Sequence, residues 1–267
     1  MIRTTLAAAL IAAVSCNVAL AKDAHKDTIV FGATVGDHAD MFKAAVKPTL
    51  EKEGYKVKVI EFTDYIRPNL ALAQHDLDVN EFQHKPYLDQ FKQAHNLKLT
   101  NVQQSPTAPM GLYAGRKSSL KDIADGDSIS LPNDPSNEAR ALLLAQDLGL
   151  IKMDKKVNPL TVSPKNIAEN PHHIKFVELE AAQLPRSRQD VDFALVPGNY
   201  ATSSGMALTS AINLEHNRRY INWVVVRTSD VNKPWVKDVE AAYNAPIFKK
   251  WVHQHFKGYL LPDSWSK

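Results

Sequence analysis

The chain has 267 residues, of which 44% are hydrophobic and 23% charged, with a formal net charge of +3 and one cysteine. A charge that balanced argues against nucleic acid as a partner, and a lone cysteine excludes an internal disulfide framework or a thiolate metal site. The length allows a sizeable core, arranged as one large or two smaller lobes.

Residues 1–21, "MIRTTLAAALIAAVSCNVALA", carry one positive side chain, Arg3, ahead of a small-residue apolar run ending in Ala19-Leu20-Ala21. This reads as an export signal cleaved after Ala21, giving a periplasmic protein, and the run is too short for a retained membrane span. The stretch "AVSC" offers a second route, in which Cys16 is lipidated after cleavage and anchors the chain to a membrane, although Ala13 stands where a larger aliphatic residue is usual. Cleavage after Ala21 removes Cys16 and Arg3, leaving a cysteine-free chain of charge +2.

After a polar leader, "TIVFGATVG" reads as a buried strand breaking at Gly36, and Asp37 is placed to cap a helix over "HADMFKAAVKPTLEKEG". "YKVKVIEF" alternates lysines with aliphatics as a strand, "YIRPNLALAQ" is a short helix, and "LDVNEF" is the next strand. This alternation implies a parallel sheet flanked by helices. The rhythm restarts near Met110 with strands "PMGLYAG" and "SISLPND". The helix "PSNEARALLLAQDLGLI" follows, with Pro135 in its first turn and Asp134 or Ser136 near its cap. "IKFVELE" and "VDFALVPGNYA" complete a second β/α set. "YINWVVVRTSD" is a strongly apolar strand, and "KPWVKDVEAAYNAPIFKKWVHQHF" reads as one long amphipathic helix. The class is therefore α/β, with two sets arranged around a cleft, and ligands of open α/β sheets gather at the carboxyl ends of strands.

Three groups of residues stand at such ends. Phe82, His84 and Tyr87 fall within "NEFQHKPYLDQ", and Tyr65 closes "FTDY" in a comparable strand-to-helix position. Four such rings could wall a slot for an apolar or thioether side chain, because sulfur makes favourable contacts with aromatic edges. Taken alone, the same trio also fits two core aromatics and a surface imidazole. Arg140 lies one turn after Asn137 near a helix N-terminus, where a guanidinium fork and an amide suit a carboxylate. An exposed arginine on an amphipathic helix is the plainer alternative.

The histidine pairs His172–His173 and His253/His255 lack an HExxH arrangement or a nearby carboxylate set, so no metal is expected. No GxSxG, Walker-type or dinucleotide-binding pattern appears, and Ser203 and Ser204 have no recognisable base. The chain reads as a binding protein without a cofactor, not as an enzyme.

The stretches "FTDYIRPNLAL", "NEFQHKPYLDQ", "LPNDPSNEARALLLAQDLGLI", "ELEAAQLPRS" and "GNYA" occur in that order, and with them the chain resembles the methionine-binding lipoprotein family of bacterial ABC importers, the NlpA or MetQ family. The resemblance runs from about Thr28 into the last helix. It implies a two-lobed periplasmic binding protein of the second type, with the chain crossing between lobes near Met110–Tyr113 and Trp223–Arg227. Residues 28–110 and 227–267 then form the first lobe and 111–226 the second. It also implies that a monomeric protein captures L-methionine or a related amino acid between the lobes and delivers it to a membrane permease. Carried over motif by motif, Tyr65, Phe82, His84 and Tyr87 line the side-chain pocket, Asn137 and Arg140 hold the α-carboxylate, and Asn222 contacts the amino-acid backbone.

One departure bears on the ligand. Where the family usually shows an asparagine three residues before the tyrosine of "NYA", this chain has Pro197, which offers neither a side-chain hydrogen bond nor an N–H. Either Asn199 or a water takes over that contact, or the ligand is another amino acid, a methionine derivative or a short peptide. A surface interaction protein with no transport ligand is the reading from a different class.

Overall fold

The apolar run after the leader forms β1 (Thr28–Thr34), in which Ile29, Phe31 and Ala33 are fully buried. The computed structural model describes residues 22–265, so the export signal, its cleavage after Ala21 and the lipidation alternative at Cys16 lie outside the described residues. Among the described residues no helix is long and apolar enough to cross a membrane.

The segment after β1 is helical in three parts: α1 (Asp37–Met41), a π-helical turn over Phe42–Val46, and α2 (Lys47–Lys52). Pro48, inside this run, cannot donate the usual backbone hydrogen bond to the preceding turn, and a π turn just ahead of it accommodates the lost register. Asp37 is the first helical residue and not the cap, which is Gly36 at φ 92°. The Asp37 carboxylate instead accepts the adjacent His38 N–H at 2.8 Å.

Next come β2 (Lys56–Phe62), α3 (Arg67–Ala73), β3 (Val79–His84), α4 (Lys85–His95) and β4 (Leu99–Ser105). The second set comprises β5 (Gly111–Ala114), β6 (Ser128–Pro132), α5 (Pro135–Asp147), β7 (Lys152–Met153), β8 (Ile167–Glu169), β9 (Lys175–Leu179), α6 (Leu184–Ser187), β10 (Phe193–Val196), α7 (Gly198–Ser203) and β11 (Asn213–Leu214). The chain closes with β12 (Asn222–Arg227), α8 (Pro234–Asn244) and α9 (Pro246–His255).

Two five-stranded sheets result, ordered β2-β1-β3-β12-β4 and β11-β5-β10-β6-β9. Neither is purely parallel, as the β/α rhythm had suggested. β12 runs antiparallel to both β3 and β4, and β5 antiparallel to β10 and β11. A strand entering from the other lobe is free of the right-handed βαβ crossover that forces parallel pairing.

β12 also corrects the expected boundary between residues 226 and 227. Asn222 already faces His84 of β3 and Ser105 of β4, so the chain has rejoined the first sheet by Asn222. β4 was not foreseen; its sequence "LTNVQQS" is mostly polar because it is an edge strand with only its two ends buried. The long C-terminal helix is two helices. Ala245 is extended, at ψ 139°, because Pro246 disfavours a helical residue before it.

Each sheet carries its own core. Phe31 and Phe42 stack with ring centroids 3.5 Å apart, and Trp235, Val236 and Phe248 of α8 and α9 pack into the same cluster, which ties the C-terminus to the first sheet. Leu112, Ile129, Leu131, Leu142, Phe193 and Leu195 form the core of the second. Each such side chain, fully buried, contributes about 1.5–3 kcal/mol of transfer free energy. The strand-to-helix turns after β2, β3 and β6, and the turn from β10 into α7, all open onto the space between the lobes. Gly198 is required there, since a Cβ would lie 2.4 Å from the Pro109 carbonyl oxygen in the outgoing crossing.

Candidate functional site

The end of β3 is fully buried yet rich in polar groups, and it organises the site. His84 is 3% exposed, so the surface reading of this imidazole does not hold. It caps α4: its Nδ1 accepts the Tyr87 N–H at 3.1 Å. With Nδ1 an acceptor, the ring proton belongs on Nε2, which lies 3.0 Å from Asn137 Oδ1 and donates to it. Burial, then the nearby Arg140 charge, pushes His84 down to about 3, so the ring is neutral.

Asn137 reaches this point from the other lobe. Asp134 caps α5 by accepting the Asn137 N–H at 3.0 Å, and both its carboxylate oxygens also accept from Asn137 Nδ2 at 3.1 Å. With the amide NH2 committed to Asp134, Oδ1 is turned toward His84 and toward Arg140, whose Nη1 donates to it at 3.3 Å. Arg140 is only 5% exposed, against the plainer expectation for a helix-surface arginine. Its guanidinium is paired with the buried Glu215. Burial opposes the arginine charge, but the Glu215 carboxylate outweighs it and keeps the group protonated.

At the other end of the site the rings of Tyr65, Phe82 and Tyr87 lie 5.9 Å from one another, centroid to centroid. The Tyr87 hydroxyl donates to the Tyr65 carbonyl at 2.7 Å and the Tyr65 hydroxyl to Asn199 Oδ1 at 2.6 Å. Burial raises both phenols well above their ordinary range, so they stay neutral donors. Tyr200 completes the link between lobes by donating to the Thr63 carbonyl at 3.1 Å. The lobes are therefore closed on each other.

All eight residues singled out in the sequence, Tyr65, Phe82, His84, Tyr87, Asn137, Arg140, Asn199 and Asn222, line one narrow cavity between the closed lobes. Pro197 is not among its lining residues; it caps α7, and its carbonyl accepts the Tyr200 and Ala201 N–H groups at 3.0 Å. Asn199, two residues on, is in the wall, and its buried Nδ2 has no hydrogen-bond partner among the described residues.

The cavity also takes His38, Gln83, Thr107 and Ala108, which sequence reasoning missed. His38 lies in the first turn of α1, just past the turn that follows β1, a strand-to-helix position comparable to that of Tyr65, which was the available signal. It lies 3.1 Å from Glu81 and 3.8 Å from Asp37, and its Nε2 is 3.2 Å from Asn222 Nδ2. Burial works against its charge, yet Glu81 and Asp37 together raise it to about 9. Gln83 is held by Asn69 through paired hydrogen bonds of 2.7 Å, and Thr107 Oγ1 accepts the Asn222 N–H at 2.7 Å. No sequence pattern marks those two.

The arrangement has one apolar, aromatic end and one end of hydrogen-bond donors around Arg140, as a site for a small amphiphilic carboxylate requires.

The family model described as NlpA lipoprotein matches residues 29–264. A relative from Salmonella typhi, D-methionine-binding lipoprotein MetQ, is 38% identical over 234 residues, covering 86% of each chain. Among solved structures, a nutrient binding protein from Burkholderia cenocepacia bound to methionine is 41% identical with a TM-score of 0.83, covering 87% of this chain and 99% of that one. A periplasmic substrate-binding protein of an ABC transporter from Coxiella burnetii is 36% identical with a TM-score of 0.82, covering 88% and 99%.

Proposed function

Because this chain belongs to the NlpA lipoprotein family, we propose that it is an exported solute-binding protein that captures L-methionine or a closely related amino acid and delivers it to an ABC importer. The observation that carries this reading is the cavity itself: an aromatic slot and a buried arginine face one another between two closed lobes, with side chains from both. In this reading Tyr65, Phe82 and Tyr87 wall the thioether, with His84 at the edge of the slot. The free edge of Arg140 receives the carboxylate, Asn137 Oδ1 holds that guanidinium in place, and Asn222 contacts the amino-acid backbone. Asn199 answers the loss of an asparagine at Pro197, because its unpaired Nδ2 is a buried donor awaiting an acceptor.

The role is capture and not catalysis, in keeping with a family of substrate-binding lipoproteins. Export by cleavage after Ala21, or anchoring through Cys16, belongs to the same proposal, as do a monomeric state and a cognate membrane permease. The division of the chain does too, with 111–221 as the second lobe once β12 is assigned to the first sheet.

The test is uptake. Expressed with the cognate permease and ATPase in a strain lacking its own methionine-binding protein, the chain should restore growth on limiting methionine, and Arg140→Ala should not. No growth despite export of folded wild-type protein would sink the proposal.

A further inference from the structure

Arg140 does not present a bare charge to the cavity. Its Nε donates to Glu215 Oε2 at 2.9 Å, and Nη2 donates to Glu215 Oε1. Nη1 gives one N–H to Asn137 Oδ1 at 3.3 Å. Of the five guanidinium donors, this leaves one on each terminal nitrogen, the edge that matches a second carboxylate. The Tyr220 ring, 4.9 Å from the guanidinium carbon, packs against the same group.

Glu215 is itself held firmly. It follows β11, is 5% exposed, accepts the Met110 N–H at 2.8 Å through Oε1, and returns its own N–H to the Met110 carbonyl at 2.9 Å. The carboxylate is thus fixed to the outgoing crossing of the chain, and the arginine is fixed to the carboxylate.

The charges around the cavity follow one rule. His38, the other cation in the wall, is faced by Glu81 and Asp37, and Arg140 is faced by Glu215. None of the described residues lining the cavity is Asp or Glu. Each cation is therefore compensated from behind, by a carboxylate that does not itself line the cavity.

We infer that Glu215 is a positioning and specificity-determining residue. It fixes the Arg140 fork in register for a carboxylate and, by cancelling the arginine's charge, makes the site select net-neutral amino acids over the matching carboxylic acids that lack an ammonium group. This rests on the proposed capture of methionine and adds to it the residue that sets the ligand's charge class. A burial site with an uncompensated arginine favours an anion; one with a neutral pair favours a zwitterion, whose own charges also cancel.

The experiment compares L-methionine with 4-(methylthio)butanoate, the same thioether acid without its ammonium group, on wild-type chain, Glu215→Gln and Glu215→Asp by calorimetry. Wild type should bind methionine at least about tenfold more tightly than the deamino acid. In Glu215→Gln that preference should shrink by about tenfold or invert, the size expected for removing one nearby charge. In Glu215→Asp, which keeps the charge and withdraws the fork, both affinities should fall while their ratio stays near wild type.

Equal losses for both ligands in Glu215→Gln would overturn the inference while leaving methionine capture standing. Wild-type protein that prefers the deamino acid would overturn it without any variant, so the result does not depend on Glu215→Gln folding. Wild-type protein that binds neither ligand would remove the proposed function and this inference with it.

Discussion

His84 Nε2 donates to Asn137 Oδ1 across 3.0 Å, joining the buried end of β3 in one lobe to the N-terminus of α5 in the other. Both groups are oriented from behind, His84 by the Tyr87 N–H and Asn137 by Asp134. Asn137 Oδ1 also receives Arg140 Nη1, so one oxygen organises two donors at the cavity wall.

Removing that oxygen should matter more than removing a surface contact. Asn137→Ala leaves two buried donors without their shared acceptor, a loss of about 1–3 kcal/mol. We expect methionine affinity to fall by about tenfold to a hundredfold, measured by calorimetry, with the far-ultraviolet circular dichroism spectrum unchanged. Wild-type affinity in the variant would show that the bond between lobes is incidental to binding.

Pro197 offers a converse test. If Asn199 supplies the contact, Pro197→Asn should change methionine affinity by no more than a few fold, whereas Asn199→Ala should cost about tenfold or more. A large gain in Pro197→Asn, with Asn199→Ala neutral, would mean that Asn199 does not compensate and that the chain has been tuned to another ligand.

The two buried imidazoles should give stability opposite pH limbs. His38 is raised to about 9, so its stabilisation is complete below the ordinary value near 6.5 and is lost as pH rises through about 9. His84 is lowered to about 3, so its contribution is complete above about 6.5 and is lost as pH falls toward that value. In urea titrations the wild type should lose up to about 3 kcal/mol relative to His38→Gln between about pH 6.5 and about pH 9. Parallel pH profiles for the two proteins would remove His38 as a charged group.

Gly198 tests the packing of α7 on the outgoing crossing. A Cβ there meets backbone, the Pro109 oxygen at 2.4 Å and the Ala108 carbonyl carbon at 2.6 Å, which cannot rotate away as a side chain would. Gly198→Ala should destabilise the protein by about 1–3 kcal/mol in chemical denaturation, and an unchanged midpoint would contradict so close an approach.

Much of the site was legible because its residues stand where apolar strands stop. Tyr65, His84 and Tyr87, and Asn137 with Arg140, each follow a readable strand and open or precede a readable helix. Asn222 was legible only through the family resemblance, and its strand was assigned to the wrong side of a boundary because an apolar run carries no sign of which sheet it joins. β4 escaped because an edge strand need not alternate. Glu215 escaped because its significance is a partner 75 residues away, and nothing local in "NLEHN" announces a buried carboxylate. The break between α8 and α9 was readable from Pro246, and the amphipathic pattern on both sides of it masked the signal.

The central claim is that the cavity takes methionine, and the most direct measurement is calorimetric titration of L-methionine into protein that has been unfolded, freed of any carried ligand and refolded. We expect one-to-one binding, together with a rise in melting temperature of several degrees at saturating ligand, because a ligand a thousandfold above its dissociation constant adds about 4 kcal/mol of stability. Refolded protein that gives neither heat nor a thermal shift with L-methionine would contradict the account.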